Sequence, residues 1–115
     1  MTEFAVQAAT DVFRTVGQSD AIPNDFVVPY YLDHRKLRIS VARINDHLYA
    51  FDDLCTCATE SCPLSGGMLS GTTIICQCHG SRFEVTTGAV LNGPAIEALN
   101  VYEVQELEGS IRIRV

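Results

Sequence analysis

The chain has 115 residues, of which 47% are hydrophobic and 19% charged, so it can fold as one domain and is too apolar to be disordered. Its formal net charge of -6 argues against nucleic acid and anionic membrane as partners, because both carry negative charge. The apolar runs have the length of strands rather than of membrane spans, and the N-terminus lacks the basic segment of a secretory signal. We therefore expect a cytoplasmic protein, and its acidic surface either docks on a basic patch of another protein or serves only solubility.

Short apolar segments separated by turn residues run along the whole chain and predict an all-β fold. The predicted strands cover residues 12–16, 26–32, 36–44, 48–51, 72–76, 82–85, 99–104 and 111–115. Residues 2–9 contain good helix formers, but an N-terminal arm over residues 1–10 is the preferred interpretation. Frequent turns between short strands are typical of a small antiparallel sandwich or barrel, here one domain over residues 1–115.

All five cysteines lie in two short segments of the sequence. Cys55, Cys57 and Cys62 form the first group, and the second group is the run Cys76-Gln77-Cys78-His79. Thiolates and a neutral imidazole are the ligands of iron–sulfur clusters and of zinc. Two ligand groups on two loops of a β scaffold predict a four-ligand metal or cluster site. Asp52 and Asp53, just before the first group, are interpreted as loop or turn carboxylates.

The region from Cys55 to Ala95 resembles a Rieske [2Fe–2S] domain, and most closely the small Rieske-type ferredoxins. That family carries a C-x-H box and a C-x2-H box, followed by Gly-Ser, a Thr-Gly turn and a Gly-Pro loop that covers the cluster. The second box is intact at Cys76 and His79, and Gly80-Ser81, Phe83 and Gly93-Pro94-Ala95 follow in the family order. The resemblance implies a cluster-binding region of two loops within residues 53–95 and one [2Fe-2S] cluster per chain.

The resemblance also implies the ligand set, with one departure from the family. In a Rieske centre two cysteines hold one iron and two histidines hold the other. Cys55 and Cys76 would then hold the inner iron, and His79 would hold the outer iron. The family's other histidine is replaced by Cys57, so the expected centre has three cysteines and one histidine.

A thiolate in place of an imidazole adds a negative charge beside the iron that accepts the electron. Rieske centres span roughly -150 to +300 mV, against roughly -400 mV for plant-type ferredoxins. We expect a reduction potential at the lower edge of the Rieske range or below it, with weaker pH dependence because only one ligand imidazole remains.

Other positions carry roles that the resemblance implies. Ser81 corresponds to a serine that donates a hydrogen bond to a cluster sulfur, whereas Phe83 stands where some relatives have a tyrosine hydroxyl. Pro94 belongs to the loop that covers the cluster. Cys62 and Cys78 stand near the positions of a disulfide that joins the two loops in high-potential Rieske domains, and here they are either such a disulfide or free thiols.

The function implied by the resemblance is one-electron transfer, without a catalytic site of its own, from a flavin-dependent reductase to a terminal oxygenase. Several alternatives remain open at this point. The chain could be a Rieske-fold small subunit or regulatory module of a reductase, or a zinc-binding structural module with three cysteines and one histidine. An all-cysteine site that uses Cys62 or Cys78 is also conceivable, and Cys57 could instead be a buried thiol beside a cluster-free site or an oxidisable thiol.

Overall fold

A computed structural model of the chain describes residues 13–33, 36–56 and 62–115, and within these ranges its regular secondary structure is antiparallel strands and two 3-10 turns, Ser19–Ala21 and Leu64–Gly66. This architecture confirms the predicted all-β class. The predicted N-terminal arm lies outside the described residues. The described part of the chain contains no helix long and apolar enough to cross a membrane.

The first sheet joins the two ends of the described chain. Its strands, in the order β1-β11-β10, are β1 (Phe13–Gln18), β11 (Ser110–Arg114) and β10 (Val104–Leu107). Ile111 and Ile113 alternate with arginines, and both isoleucines are fully buried. Since successive strand side chains point to opposite faces, this alternation supplies one apolar face to the core.

The second sheet is the largest and supports the first cysteine segment. Its strands, in the order β2-β3-β4-β9, are β2 (Phe26–Leu32), β3 (Leu37–Ile44), β4 (His47–Asp52) and β9 (Val101–Tyr102). Asn45 and Asp46 connect β3 to β4, and both have positive φ, 51° and 68°. Two such residues are typical of the tight hairpin turn that the sequence predicts there.

The third sheet is formed by four three-residue strands around the second cysteine segment. In the order β5-β6-β7-β8 they are β5 (Met68–Ser70), β6 (Thr73–Ile75), β7 (Arg82–Glu84) and β8 (Val90–Asn92). A 3-10 turn, Leu64–Gly66, precedes β5. Residues 76–81, which include Cys76 and His79, connect β6 to β7.

Two groups of buried side chains form the core. One lies between the first two sheets and includes Ile39, Val41, Ile111 and Ile113. The other lies under the cysteine segments, and its buried members are Ala42, Ile44, Phe51, Cys55, Cys62, Leu64, Ile74, Cys76, Phe83, Val85, Ala95 and Leu99. Cys55, Cys62 and Cys76 therefore belong to a packed apolar core, in which each fully buried large side chain contributes about 1.5–3 kcal/mol.

The structure corrects the predicted strand over residues 99–104. The chain pairs with β4 at Val101 and Tyr102, is interrupted at Glu103, and then pairs with β11 from Val104 onward. One predicted strand is thus two short strands in different sheets. Strands β5 and β8 were not predicted, because glycines lie on both sides of each segment and indicate turns there.

Candidate metal centre

Cys55 lies on the first loop, three residues after the end of β4. Its side chain is buried, and its N–H donates to the carbonyl oxygen of Cys62 at 2.9 Å. Leu54 and Pro63 form an isolated antiparallel bridge beside this bond. The two arms of the loop are therefore paired at its base. Cys57, the replaced histidine position, lies outside the described residues.

Cys76 and His79 lie on the second loop, between β6 and β7. Cys76 is buried, and its N–H donates to the carbonyl oxygen of Ser81 at 2.8 Å, while its own carbonyl oxygen accepts the N–H of Gly80 at 3.0 Å. Gly80 has a φ of 77°, a left-handed conformation that glycine adopts without steric cost. The tight loop buries the thiol of Cys76 and leaves His79 exposed at the tip.

A disulfide between Cys62 and Cys78 links the two loops. The Cα atoms of this pair are 6.4 Å apart, within the usual range for a disulfide. The Sγ atoms of Cys62, Cys76 and Cys78 all lie within 4.8 Å of one another. Cys55 and Cys76 take no part in the disulfide. Among the described residues, their thiols are therefore the ones on the two loops that could act as metal ligands.

A third loop, residues 93–98, closes over the other two. Pro94 follows a cis peptide bond, and the N–H of Ala95 donates to Ser81 Oγ at 3.0 Å. The hydroxyl of Thr56, on the first loop, donates to the carbonyl oxygen of Glu97 at 2.6 Å. The predicted Gly-Pro loop is thus bonded to both cysteine loops. Ser81 accepts through its oxygen here, which leaves its hydroxyl proton available to another acceptor.

Asp53 is a residue whose importance the sequence did not indicate. Predicted as a turn carboxylate, it is fully buried and accepts hydrogen bonds from Arg38, Ser40 and the N–H of Ser65. Asp52, by contrast, is half-buried at the end of β4 and accepts the hydroxyl of Tyr102 at 2.6 Å. The partners of Asp53 are distant in sequence, so no local pattern could show its burial.

Two carboxylates outside the cysteine loops have lowered pKa values. Hydrogen bonds from Thr86 and Thr72 lower the pKa of Glu84, which ends β7. Elsewhere, hydrogen bonds from Arg43 and Ser19 lower the pKa of Glu106, on β10. These ionised carboxylates hold the turn after β7 and connect the first two sheets.

The donor chemistry of the described loops suits an iron–sulfur cluster. Two buried thiols that lie outside the disulfide, Cys55 and Cys76, are soft ligands in an apolar setting, and His79 offers an imidazole at the surface. A cavity of about 430 Å³ opens beside Cys76. Its walls are formed by Gly66, Gly67, Met68, Ile75, Cys76 and Gln77.

Comparison with known proteins places this architecture in a family. The chain matches the Rieske [2Fe-2S] domain over residues 12–103. It is 39% identical over 75 residues to ferredoxin CarAc of Metapseudomonas resinovorans, with coverage of 65% of this chain and 68% of the relative. It is 34% identical over 92 residues to the ferredoxin component of the naphthalene 1,2-dioxygenase system of Pseudomonas putida, with coverage of 80% and 84%.

The three-dimensional comparison agrees. A chain in the solved complex of reduced oxygenase and oxidized ferredoxin in carbazole 1,9a-dioxygenase matches with a TM-score of 0.80 and 28% identity, covering 90% of this chain and 94% of that one. These relatives are ferredoxins of dioxygenase systems, which carry electrons and are not themselves the catalytic enzymes. The chain belongs to the Rieske [2Fe-2S] domain family, and its cofactor is one [2Fe-2S] cluster.

Proposed function

We propose that this protein is a one-electron carrier in which Cys55, Cys57, Cys76 and His79 hold the cluster. The observation that carries the proposal is the pair of buried cysteines, Cys55 and Cys76, on two loops that a disulfide links. Both thiols lie in the apolar core, as expected for the ligands of the inner iron. The cluster-binding region is residues 53–95, within one Rieske unit that works in the cytoplasm.

The exposure of the proposed ligand residues indicates where an electron would leave the protein. Cys55 and Cys76 are buried, whereas His79 is exposed. When bound, the cluster accepts and releases one electron. The imidazole of His79, which would hold the outer iron, is exposed at the protein surface and would offer the shortest route to a partner. The burial of Cys55 and Cys76 would keep water from the inner side of the site.

The partners of this carrier would be a flavin-dependent reductase and a terminal oxygenase. One of the similar structures is a ferredoxin in complex with its oxygenase, which supports an oxygenase as one partner. The surface beside Cys76 supplies an apolar cavity at which Met68 is 65% exposed. The net charge of -6 would steer a basic partner, so the rate of electron transfer should fall as ionic strength rises.

We further infer that Cys57 is the fourth ligand. Cys57 stands two residues after Cys55, at the position of the histidine in the first box of the family. A thiolate there places one more negative charge on the site than an imidazole does. A more negative site accepts an electron less readily, and we expect a potential at the lower edge of the Rieske range, roughly -150 mV, or below it.

The test is spectroscopy and voltammetry on the purified protein. Two irons and two labile sulfides per chain, with an EPR signal on reduction, would establish the cluster; a colourless zinc protein would contradict it. A potential above about 0 mV between pH 6 and pH 10 would rule out the three-thiolate ligand set.

The variant Cys57→His isolates the role of this ligand. It restores the family residue, so the potential should rise into the Rieske range of roughly -150 to +300 mV and become more dependent on pH. Cys57→Ser is the matched control, since it removes the thiol without supplying an imidazole and should weaken cluster binding. If Cys57→His and Cys57→Ser both keep the wild-type potential and iron content, Cys57 is not a ligand.

A further inference from the structure

Asp53 is a fully buried carboxylate that three donors from two parts of the chain surround. Its Oδ1 accepts from Ser40 Oγ at 2.6 Å and from the N–H of Ser65 at 2.8 Å, and its Oδ2 accepts from Arg38 Nε. Arg38 and Ser40 belong to β3, whereas Ser65 lies in the 3-10 turn after the first loop. Hydrogen bonds to an ionised group are stronger than those between neutral groups, so these contacts hold the carboxylate in one position.

The main chain of Asp53 makes the same two connections. Its N–H donates to the carbonyl oxygen of Arg38 at 2.9 Å, and its carbonyl oxygen accepts the N–H of Leu64 at 2.5 Å. The residue is therefore bonded to β3 on one side and to the Leu64–Gly66 turn on the other, through both side chain and main chain. It closes the base of the segment from residue 53 to residue 65.

This closed base lies immediately beside Cys55. Two residues after Asp53, the N–H of Cys55 donates to the carbonyl oxygen of Cys62, and the bridge between Leu54 and Pro63 lies between the two bonds. The position of the Cys55 thiol relative to the second sheet thus depends on three successive pairings, from Asp53–Leu64 through Leu54–Pro63 to Cys55–Cys62. Without the carboxylate, the hydrogen bonds that would remain at this base among the described residues are those between main-chain atoms.

We propose that Asp53 is a positioning residue, which fixes Cys55 in the geometry needed to hold the cluster. The inference rests on the proposed ligand role of Cys55. A carboxylate suits the position because it accepts on both oxygens, whereas an amide would turn an N–H toward the guanidinium of Arg38. Arg38, whose side chain is 43% exposed, balances the negative charge of Asp53. Asp53 therefore acts mainly by holding the position of Cys55 and not through its charge.

The experiment compares Asp53→Asn with Glu106→Gln in the cluster-loaded protein. Glu106 is a matched control, because it too accepts from an arginine of β3, Arg43, and from a serine, Ser19, but it lies on β10 in the first sheet. The measurements are the iron and sulfide content, the rate of cluster loss to a chelator and the EPR spectrum of the reduced protein. A purely structural role would leave the EPR spectrum of the retained cluster unchanged.

For Asp53→Asn we expect cluster loss faster by on the order of tenfold, since a charge-assisted hydrogen bond is lost and a buried donor is left unpaired. We also expect a broadened or shifted EPR signal, which reports a displaced ligand. Glu106→Gln should match wild type in both. Ser40→Ala removes one donor, keeps the carboxylate, and should give a smaller change in the same direction even if Asp53→Asn does not fold.

The outcomes separate this inference from the proposed function. A wild-type protein that holds no iron or sulfide would overturn the proposed function, and the inference with it. If wild type holds the cluster, and the Asp53 and Ser40 variants have its loss rate and EPR spectrum, only the positioning role is overturned. Equal effects in Glu106→Gln would also overturn it, because they would reflect general destabilisation.

Discussion

Removing the disulfide between Cys62 and Cys78 should destabilise the cluster-free protein far more than the cluster-loaded protein. We consider the double variant Cys62→Ala, Cys78→Ala, which places no hydroxyl at the buried Cys62 position. The two cysteines are separated by 16 residues, and closing a loop of this length lowers the entropy of the unfolded chain by an amount worth about 3 kcal/mol.

The bound cluster should reduce the stability that is lost with the disulfide, because its proposed ligands join the same two loops. Because Cys55 and Cys76 would both hold the inner iron, a second link between the two loops would close little additional chain. We therefore expect the full effect of about 3 kcal/mol only without the cluster. The reduction potential should stay close to the wild-type value, because neither cysteine of the disulfide is a proposed ligand.

The assay is urea unfolding of the cluster-free protein, followed by far-UV circular dichroism, with iron analysis and voltammetry after reconstitution. Either single alanine variant breaks the same bond and serves as a check on the double variant. A loss of less than about 1 kcal/mol would refute the loop-entropy reasoning. A folded double variant that takes up no cluster would instead identify Cys62 or Cys78 as a ligand, as in the all-cysteine alternative.

Two further predictions concern hydrogen-bonded groups. Ser81→Ala leaves the buried N–H of Ala95 without its acceptor, so we expect a loss of about 1–3 kcal/mol in unfolding free energy. It also removes a hydroxyl donor, so we expect a lower reduction potential by voltammetry. An unchanged potential would show that the hydroxyl does not act on the cluster. The pKa of Glu106 is lowered in the fold by hydrogen bonds from Arg43 and Ser19. The stability that the ionised carboxylate contributes is therefore fully present above the unfolded pKa of about 4.3, and it is lost as pH falls through the lower folded pKa. Glu106→Gln should therefore flatten the acid side of the curve of unfolding free energy against pH, and an unaltered curve would contradict this assignment.

The all-β fold could be predicted because its signals are local. Ile111 and Ile113 alternate with arginines, and Asn45-Asp46 marks the turn between β3 and β4. Both patterns need only neighbouring residues to be recognised, and β2 begins and ends at the predicted residues. The positions of Cys76 and His79 on one tight loop likewise followed from adjacent residues.

The features that sequence did not reveal depend on contacts between distant segments. Asp53 follows another aspartate and has the appearance of a surface turn, yet Arg38, Ser40 and Ser65 make its burial favourable. The interruption at Glu103 arises because the chain passes from one sheet to another, a change that leaves the alternating pattern intact. Neither feature has a local sequence signal.

The three loops of the metal centre are linked in pairs by one disulfide and two hydrogen bonds. The disulfide of Cys62 links the first loop to the second, the bond from Ala95 to Ser81 links the second to the third, and the bond from Thr56 to Glu97 links the third to the first. Because each pair of loops is also connected through the remaining two contacts, the loss of one contact leaves all three loops connected. The loss of two contacts detaches one loop from the others, so paired substitutions should cost more than the sum of the single ones, as is usual for groups that share one network. Asp53 stands outside this set and connects it to the second sheet through Arg38 and Ser40 of β3.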